Sequence, residues 1–162
     1  MKKLILVLVI ATIASCKTKE KSMEKIQSEV ITKRVVEVQN EIVWEKLIGF
    51  GGTEKFVPEL IEKVDVEGRG IGAVRNIYLK SGGEIIEKLT KIDNKNHQME
   101  FMILSTPMPI FNYTGIFEVN KISNDKCQVT FISKYSVSAE NEKEIESVIK
   151  GFQETFISNL DK

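Results

Sequence analysis

Near the end of this chain Ile145, Val148, Ile149, Phe152, Phe156, Ile157 and Leu160 recur at helical spacing, with Glu, Lys, Gln, Ser and Asn residues between them. That pattern predicts one long amphipathic helix with a single apolar face. Six β-type segments precede it, at 59–66, 71–80, 83–92, 97–106, 112–121 and 127–137. Most of their connections are plain turns: Glu67-Gly68-Arg69-Gly70, Ser81-Gly82-Gly83, Asp93-Asn94-Lys95-Asn96 and Ser123-Asn124-Asp125-Lys126. Consecutive hairpin strands cannot bury both faces of their own sheet. The helix therefore has to cover the concave face of a curved antiparallel sheet.

Ahead of these segments, Val30, Ile31, Val35, Val36 and Val38 are β-branched and predict a first strand over Glu29 to Val38. Asn40 is the expected cap of a short helix over Glu41 to Leu47, in which Trp44 is a packing anchor. Gly49-Phe50-Gly51-Gly52 breaks regular structure, and Thr53 to Val57 predicts a second helical turn closed by Pro58. The expected fold class is thus α+β: about seven strands wrapped on a long C-terminal helix, with two short helices after the first strand.

The N-terminus says where such a domain works. Lys2 and Lys3 precede an apolar run from Leu4 to Ala11, and Ile13-Ala14-Ser15-Cys16 follows. This is the layout of a signal peptide. The run is far short of the ~20 residues that cross a bilayer as a helix. A cysteine after two small residues resembles the lipobox of bacterial lipoproteins, which implies cleavage before Cys16 and acylation of its thiol. The plain alternative is an ordinary secretory signal. The expected organisation is a signal peptide over 1–15, a lipidated cysteine and polar tether over 16–28, and one folded domain over 29–162. Lys17 rather than aspartate follows the cysteine, which in lipoproteins of two-membrane bacteria points to the outer membrane.

Full-length charge is balanced, with 23 Lys and Arg against 23 Asp and Glu. Removing residues 1–15 takes away Lys2 and Lys3 and leaves 21 against 23. No basic surplus favours nucleic acid or an anionic membrane surface, so anchoring falls to lipid on Cys16. Cys127 is then the remaining thiol, with no partner for a disulfide. Its place in the alternating run Cys127-Gln128-Val129-Thr130-Phe131 makes it a small buried hydrophobe.

The order of one strand, two short helices, six strands and a long helix is the helix-grip order. Gly72-Ala73-Val74-Arg75, Ser81-Gly82-Gly83, Glu84 to Leu89, Ile92-Asp93, Phe111-Asn112-Tyr113-Thr114-Gly115 and Val43-Trp44 occur along it in sequence. Together they resemble the SRPBCC superfamily, which includes the START-type lipid-transfer domains, the polyketide cyclase/dehydrase-like proteins and the plant abscisic-acid receptors. The resemblance covers roughly residues 29–160 and implies an internal cavity, not a reaction. The receptors' pocket-lining glutamate, aromatic, aliphatic and tyrosine positions fall on Glu87, Phe101, Ile103 and Tyr113. Their gates do not carry over: Ser81-Gly82-Gly83 is shorter than the Leu-Pro-Ala turn, and Met108-Pro109-Ile110 stands in place of His-Arg-Leu. Their cavity lysine has no counterpart beside Pro58. These departures argue against hormone-type recognition and leave the cavity intact.

Strand alternation sets which residues face inward. Arg75, Ile77 and Leu79 share a face, as do Ile85, Glu87 and Leu89, then Met99, Phe101 and Ile103, then Tyr113, Gly115, Phe117 and Val119. The expected ligand-binding set is Arg75, Ile77, Ile85, Glu87, Phe101, Ile103, Tyr113 and Phe117, with Ile149 and Phe152 from the helix. A charge inside an apolar cavity needs a partner or water. Arg75 and Glu87 are therefore either an ion pair that only fixes the strands or, with Tyr113, a polar end that orients an amphipathic ligand.

Other signals point away from catalysis. His97 is the single histidine and sits beside a turn, where it is solvated or internally satisfied, so neither a metal set nor a Ser/His/Asp arrangement is expected. Gly49-Phe50-Gly51-Gly52 lacks the Gly-Lys-Ser/Thr ending of a phosphate loop, and Gly68-Arg69-Gly70-Ile71-Gly72 joins β segments as a turn. No cofactor is expected. The leading expectation is a membrane-anchored binding protein for a small hydrophobic or amphipathic ligand. The alternatives are an accessory envelope protein with its interior filled by Phe101, Phe117 and Phe152, or a cyclase/dehydrase-type enzyme with Glu87 as base and Tyr113 as proton donor.

Overall fold

A computed structural model describes residues 24–162; the expected signal peptide over 1–15 and the expected lipidation site Cys16 lie outside the described residues. The elements, in chain order, are β1 (Lys25–Val36), α1 (Asn40–Ile48), α2 (Thr53–Phe56), β2 (Ile61–Glu67), β3 (Val74–Leu79), β4 (Glu84–Asp93), β5 (Gln98–Ser105), β6 (Ile110–Lys121), β7 (Cys127–Ser138) and α3 (Glu142–Ser158). Strands β2 to β7 follow as a meander, and β1 pairs antiparallel with β7, giving one seven-stranded sheet in the order β1-β7-β6-β5-β4-β3-β2. This is the helix-grip arrangement that the meander and amphipathic helix required.

Helix α3 lies on the concave face. Its Ile145, Ile149, Phe156 and Ile157 are buried, each burial contributing roughly 1.5–3 kcal/mol. Phe156 meets Phe117 at 5.3 Å and Phe131 at 6.1 Å between ring centroids, and Phe117 packs on Phe131 at 4.0 Å. This aromatic block closes one end of the interior. Helix α1 is pinned across the β4–β5 turn. Trp44 stacks on His97 at 5.3 Å and donates from Nε1 to Asn94 Oδ1 at 3.1 Å.

Several boundaries differ from the sequence expectation. Strand β1 starts at Lys25, four residues before Glu29, because residues 25–28 pair with Ser138 back to Tyr135 of β7; residues 25–28 thus belong to the folded domain and not to the polar segment expected before it. The strand ends at Val36, not Val38. Asn40 is the first residue of α1 and Gln39 precedes it as N-cap. The Asn40 side chain is buried and meets His97 Nδ1 at 3.1 Å, so tertiary contact overrides its capping preference. Strand β3 starts at Val74 instead of residue 71, since Gly68, Gly70 and Gly72 all take positive φ and prolong the turn. Strand β6 begins at Ile110, two residues earlier than expected, by way of a bulge at Asn112 described below. Val148, placed on the apolar face of α3, is 51% exposed.

Candidate functional site

Arg75 of β3 and Glu87 of β4 are direct partners in the antiparallel register. Both are buried. Arg75 Nε donates to Glu87 Oε2 at 2.6 Å and Nη2 reaches the same oxygen at 2.5 Å. The other guanidinium nitrogen, Nη1, donates to Phe50 O at 3.3 Å and Thr53 Oγ1 at 3.1 Å. The guanidinium also lies 4.2 Å from the Phe50 ring centroid and 5.0 Å from that of Phe101. The Gly49–Gly52 segment, with Phe50 at φ 56°, is thereby tied to the sheet. Arg75 is thus spent on holding the fold. Glu87 has a second oxygen, Oε1, to which no described group donates. Burial pushes its carboxyl up, and Arg75 only partly pulls it back.

Beyond this pair a cavity of about 220 Å³ remains between the sheet and α3. Ile77, Ile85 and Ile103 line its sheet side, and Ile149 and Phe152 its helix side. Glu87 and Tyr113 are the polar groups on its inner wall, and Ser81 stands at the rim. Leu60 and Val148 also border it while remaining 49% and 51% exposed, which marks the mouth. Met108 and Ser81 bring the Met108-Pro109-Ile110 and Ser81-Gly82-Gly83 segments to the same mouth. There Gly83 lies against Pro107, with room for a Cβ 3.6 Å from Cγ.

Tyr113 keeps the inward alternation of Gly115, Phe117 and Val119, and β6 is bulged just before it. Register slips between Phe111 and Thr114, and Asn112 takes φ 51°. The extra residue turns Ile110 inward as well, where strict alternation would send it out. The Tyr113 hydroxyl is 2.7 Å from Ser133 Oγ of β7. Ser133 Oγ accepts from Gln153 Nε2 at 2.9 Å, and Thr32 Oγ1 donates to Gln153 Oε1 at 2.7 Å. A buried polar chain therefore runs from the cavity wall beneath α3 to β1. Burial raises the Tyr113 phenol strongly, with the Ser133 bond a smaller opposing effect.

Seven of the ten residues expected to bind ligand border the cavity: Ile77, Ile85, Glu87, Ile103, Tyr113, Ile149 and Phe152. Arg75, Phe101 and Phe117 do not. Arg75 sits behind Glu87, and Phe101 and Phe117 stack at 6.1 Å in the aromatic block. Phe101 lies over the backbone of its register partner Gly115, where an added Cβ would come within 2.2 Å of Cζ. The interior is thus filled at one end by Phe101 and Phe117 and open at the other, with Phe152 at the boundary. Sequence reasoning missed Gln153 and Ser133. Gln153 carried a signal: it is a polar residue in the apolar stripe between Phe152 and Phe156. Ser133 carried a weaker one, sharing the inward face of β7 with Phe131 and Tyr135. Cys127 is buried as expected, and burial pushes its thiol up to about 11.

Known proteins place this geometry. No curated protein matches the chain. Among solved structures, truncated norcoclaurine synthase from Thalictrum flavum superposes with a TM-score of 0.72 at 18% identity, covering 85% of this chain and 93% of that one. The Zhui aromatase/cyclase from Streptomyces sp. R1128 superposes with a TM-score of 0.72 at 16% identity, covering 83% and 92%. The protein XoxI from Bacillus cereus does so with a TM-score of 0.74 at 20% identity, covering 83% and 93%. These likenesses establish the fold. The pattern of the family described as polyketide cyclase / dehydrase and lipid transport matches residues 27–162, nearly the whole described domain, and the chain belongs to that family.

Proposed function

We propose that this protein is a lipid-anchored envelope protein that holds a small hydrophobic or amphipathic ligand in its internal cavity. The observation that carries this reading is the 220 Å³ space left between sheet and helix, apolar except for Glu87, Tyr113 and the rim residue Ser81. It is smaller than the roughly 300–1,000 Å³ of pockets that take drug-sized molecules, which suits a short-chain or single-ring compound. Membership of a family whose description includes lipid transport supports the same class of occupant. The anchor rests on Cys16 and the flank before it, and Lys17 favours the outer membrane where the cell has one. Mass spectrometry of material copurifying with the native protein tests the ligand. The delipidated domain should bind a component of a lipid extract saturably; no saturable binding to any fraction would overturn the proposal. Cys16→Ser should release the protein from the membrane fraction, and unchanged fractionation and mass would refute the anchor.

A second reading is favoured by one observation. Glu87 Oε1 has no donor among the described residues and belongs to a carboxyl whose proton affinity is raised by burial, the condition of a general base. A turnover that disappears in Glu87→Gln while ligand binding persists would select this reading. Binding without turnover of any bound compound would retire it.

A further inference from the structure

Tyr113 and Ser133 share two hydroxyl protons and one hydrogen bond, so one proton is left over. Gln153 determines where it goes. The Val30 carbonyl can only accept, so the amide nitrogen of Gln153 is the atom that faces it, at 3.3 Å. The same nitrogen gives its other proton to Ser133 Oγ at 2.9 Å, and Oε1 is turned away to accept from Thr32. Gln153 and Ser133 are both completely buried. Among the described residues the Ser133 proton therefore has no acceptor except Tyr113. Were Tyr113 to donate to Ser133, the serine proton would be left buried and unpaired, an arrangement that folded proteins avoid. If Ser133 donates to Tyr113, the leftover proton sits on the phenol, which is the member of the pair that borders the cavity.

We propose that Gln153 and Ser133 set Tyr113 as a hydrogen-bond donor into the cavity, so that the cavity selects small apolar ligands with an acceptor oxygen, a carbonyl or an ether, at that end. The ligand half rests on the binding function proposed above; the proton arrangement is a property of the free protein. Gln153 and Ser133 touch no ligand in this scheme and act as positioning residues.

Two measurements separate the halves. In ultraviolet resonance Raman spectra the tyrosine ring doublet distinguishes a donating from an accepting phenol. The difference between the parent and Tyr113→Phe isolates Tyr113 from Tyr78 and Tyr135. Ser133→Ala should move the Tyr113 signal towards a phenol that donates without accepting; a shift towards loss of donation overturns the proton arrangement. Should Ser133→Ala not fold, the parent protein decides by NMR: the Ser133 hydroxyl proton should exchange slowly and that of Tyr113 fast, and the reverse order overturns the arrangement. For the ligand half the probes are acetophenone and α-methylstyrene, which share a shape and differ by one acceptor oxygen. The ratio of their affinities should fall about tenfold in Tyr113→Phe, the worth of one such bond, and by a smaller factor in Ser133→Ala. An unchanged ratio in Tyr113→Phe overturns the selectivity. If neither probe binds the parent, the selectivity falls together with the binding function, while the Raman shift still judges the proton arrangement.

Discussion

Replacing Glu87 by Gln keeps the side-chain shape and removes the charge that faces Arg75. A guanidinium keeps its charge throughout the working pH range, so the variant holds a buried cation without a counter-ion. Breaking a buried pair in this way costs about 3–5 kcal/mol. Two features of the site pull the cost to the lower end. The Gln amide oxygen still accepts from Nε, and the guanidinium keeps Phe50 O, Thr53 Oγ1 and the faces of Phe50 and Phe101. The expected loss is therefore about 3 kcal/mol, or a fall in Tm of roughly 6–12 °C for a domain of this size. Urea unfolding followed by circular dichroism measures it. Arg75→Met alone should also destabilise, because it leaves the Glu87 carboxylate unpaired. The double variant Glu87→Gln with Arg75→Met should recover part of the loss and give a coupling energy above about 1 kcal/mol. A cost for Glu87→Gln below about 1 kcal/mol, or a double variant whose losses simply add, would refute the view of this pair as an internal strut.

Gly115→Ala should destabilise by about 1–3 kcal/mol, because the new methyl meets the Phe101 ring lying on the strand backbone; a neutral result in chemical unfolding would mean the ring moves freely. Asn112→Val puts a β-branched residue at φ 51° and should cost about 1–3 kcal/mol, whereas Asn112→Gly should be close to neutral. Equal losses in the two variants would show that the Asn112 side chain, not its backbone, holds the bulge. The Cys127 thiol is raised from 9.0 to about 11. Folding thus favours its protonated form: the stabilisation is complete below about pH 9 and is lost as pH rises through 11, by roughly 2–3 kcal/mol. The stability difference between the parent and Cys127→Ala should shrink over that window, and a flat difference would contradict the assignment. In keeping with its burial, the native thiol should resist thiol reagents at pH 8 and react once the protein is unfolded.

Strand and helix periodicity is a local property, and for that reason the core of this fold was legible without coordinates. The inward faces of β3 to β6 follow from alternation, and the pairing of Arg75 with Glu87 follows from a short hairpin whose turn sets the register. A lone polar residue on an apolar helix face, Gln153, was visible too, but its meaning was not. Of its partners, Ser133 lies 20 residues upstream on β7, and Thr32 and Val30 more than a hundred residues upstream on β1, so only the pairing of β1 with β7 beneath α3 brings them together. The same holds for Arg75. Alternation turns it inward, yet the Phe50 carbonyl and Thr53 hydroxyl claim its remaining donors, and that takes it out of the cavity. The cavity itself is a difference between the volume the sheet encloses and the volume its side chains fill. Phe101 can lie flat only because Gly115 is beneath it, so the aromatic block fills one end and the space by Tyr113 and Glu87 stays open. Sequence patterns decide which side chains point inward; how completely those side chains fill the interior depends on packing in three dimensions.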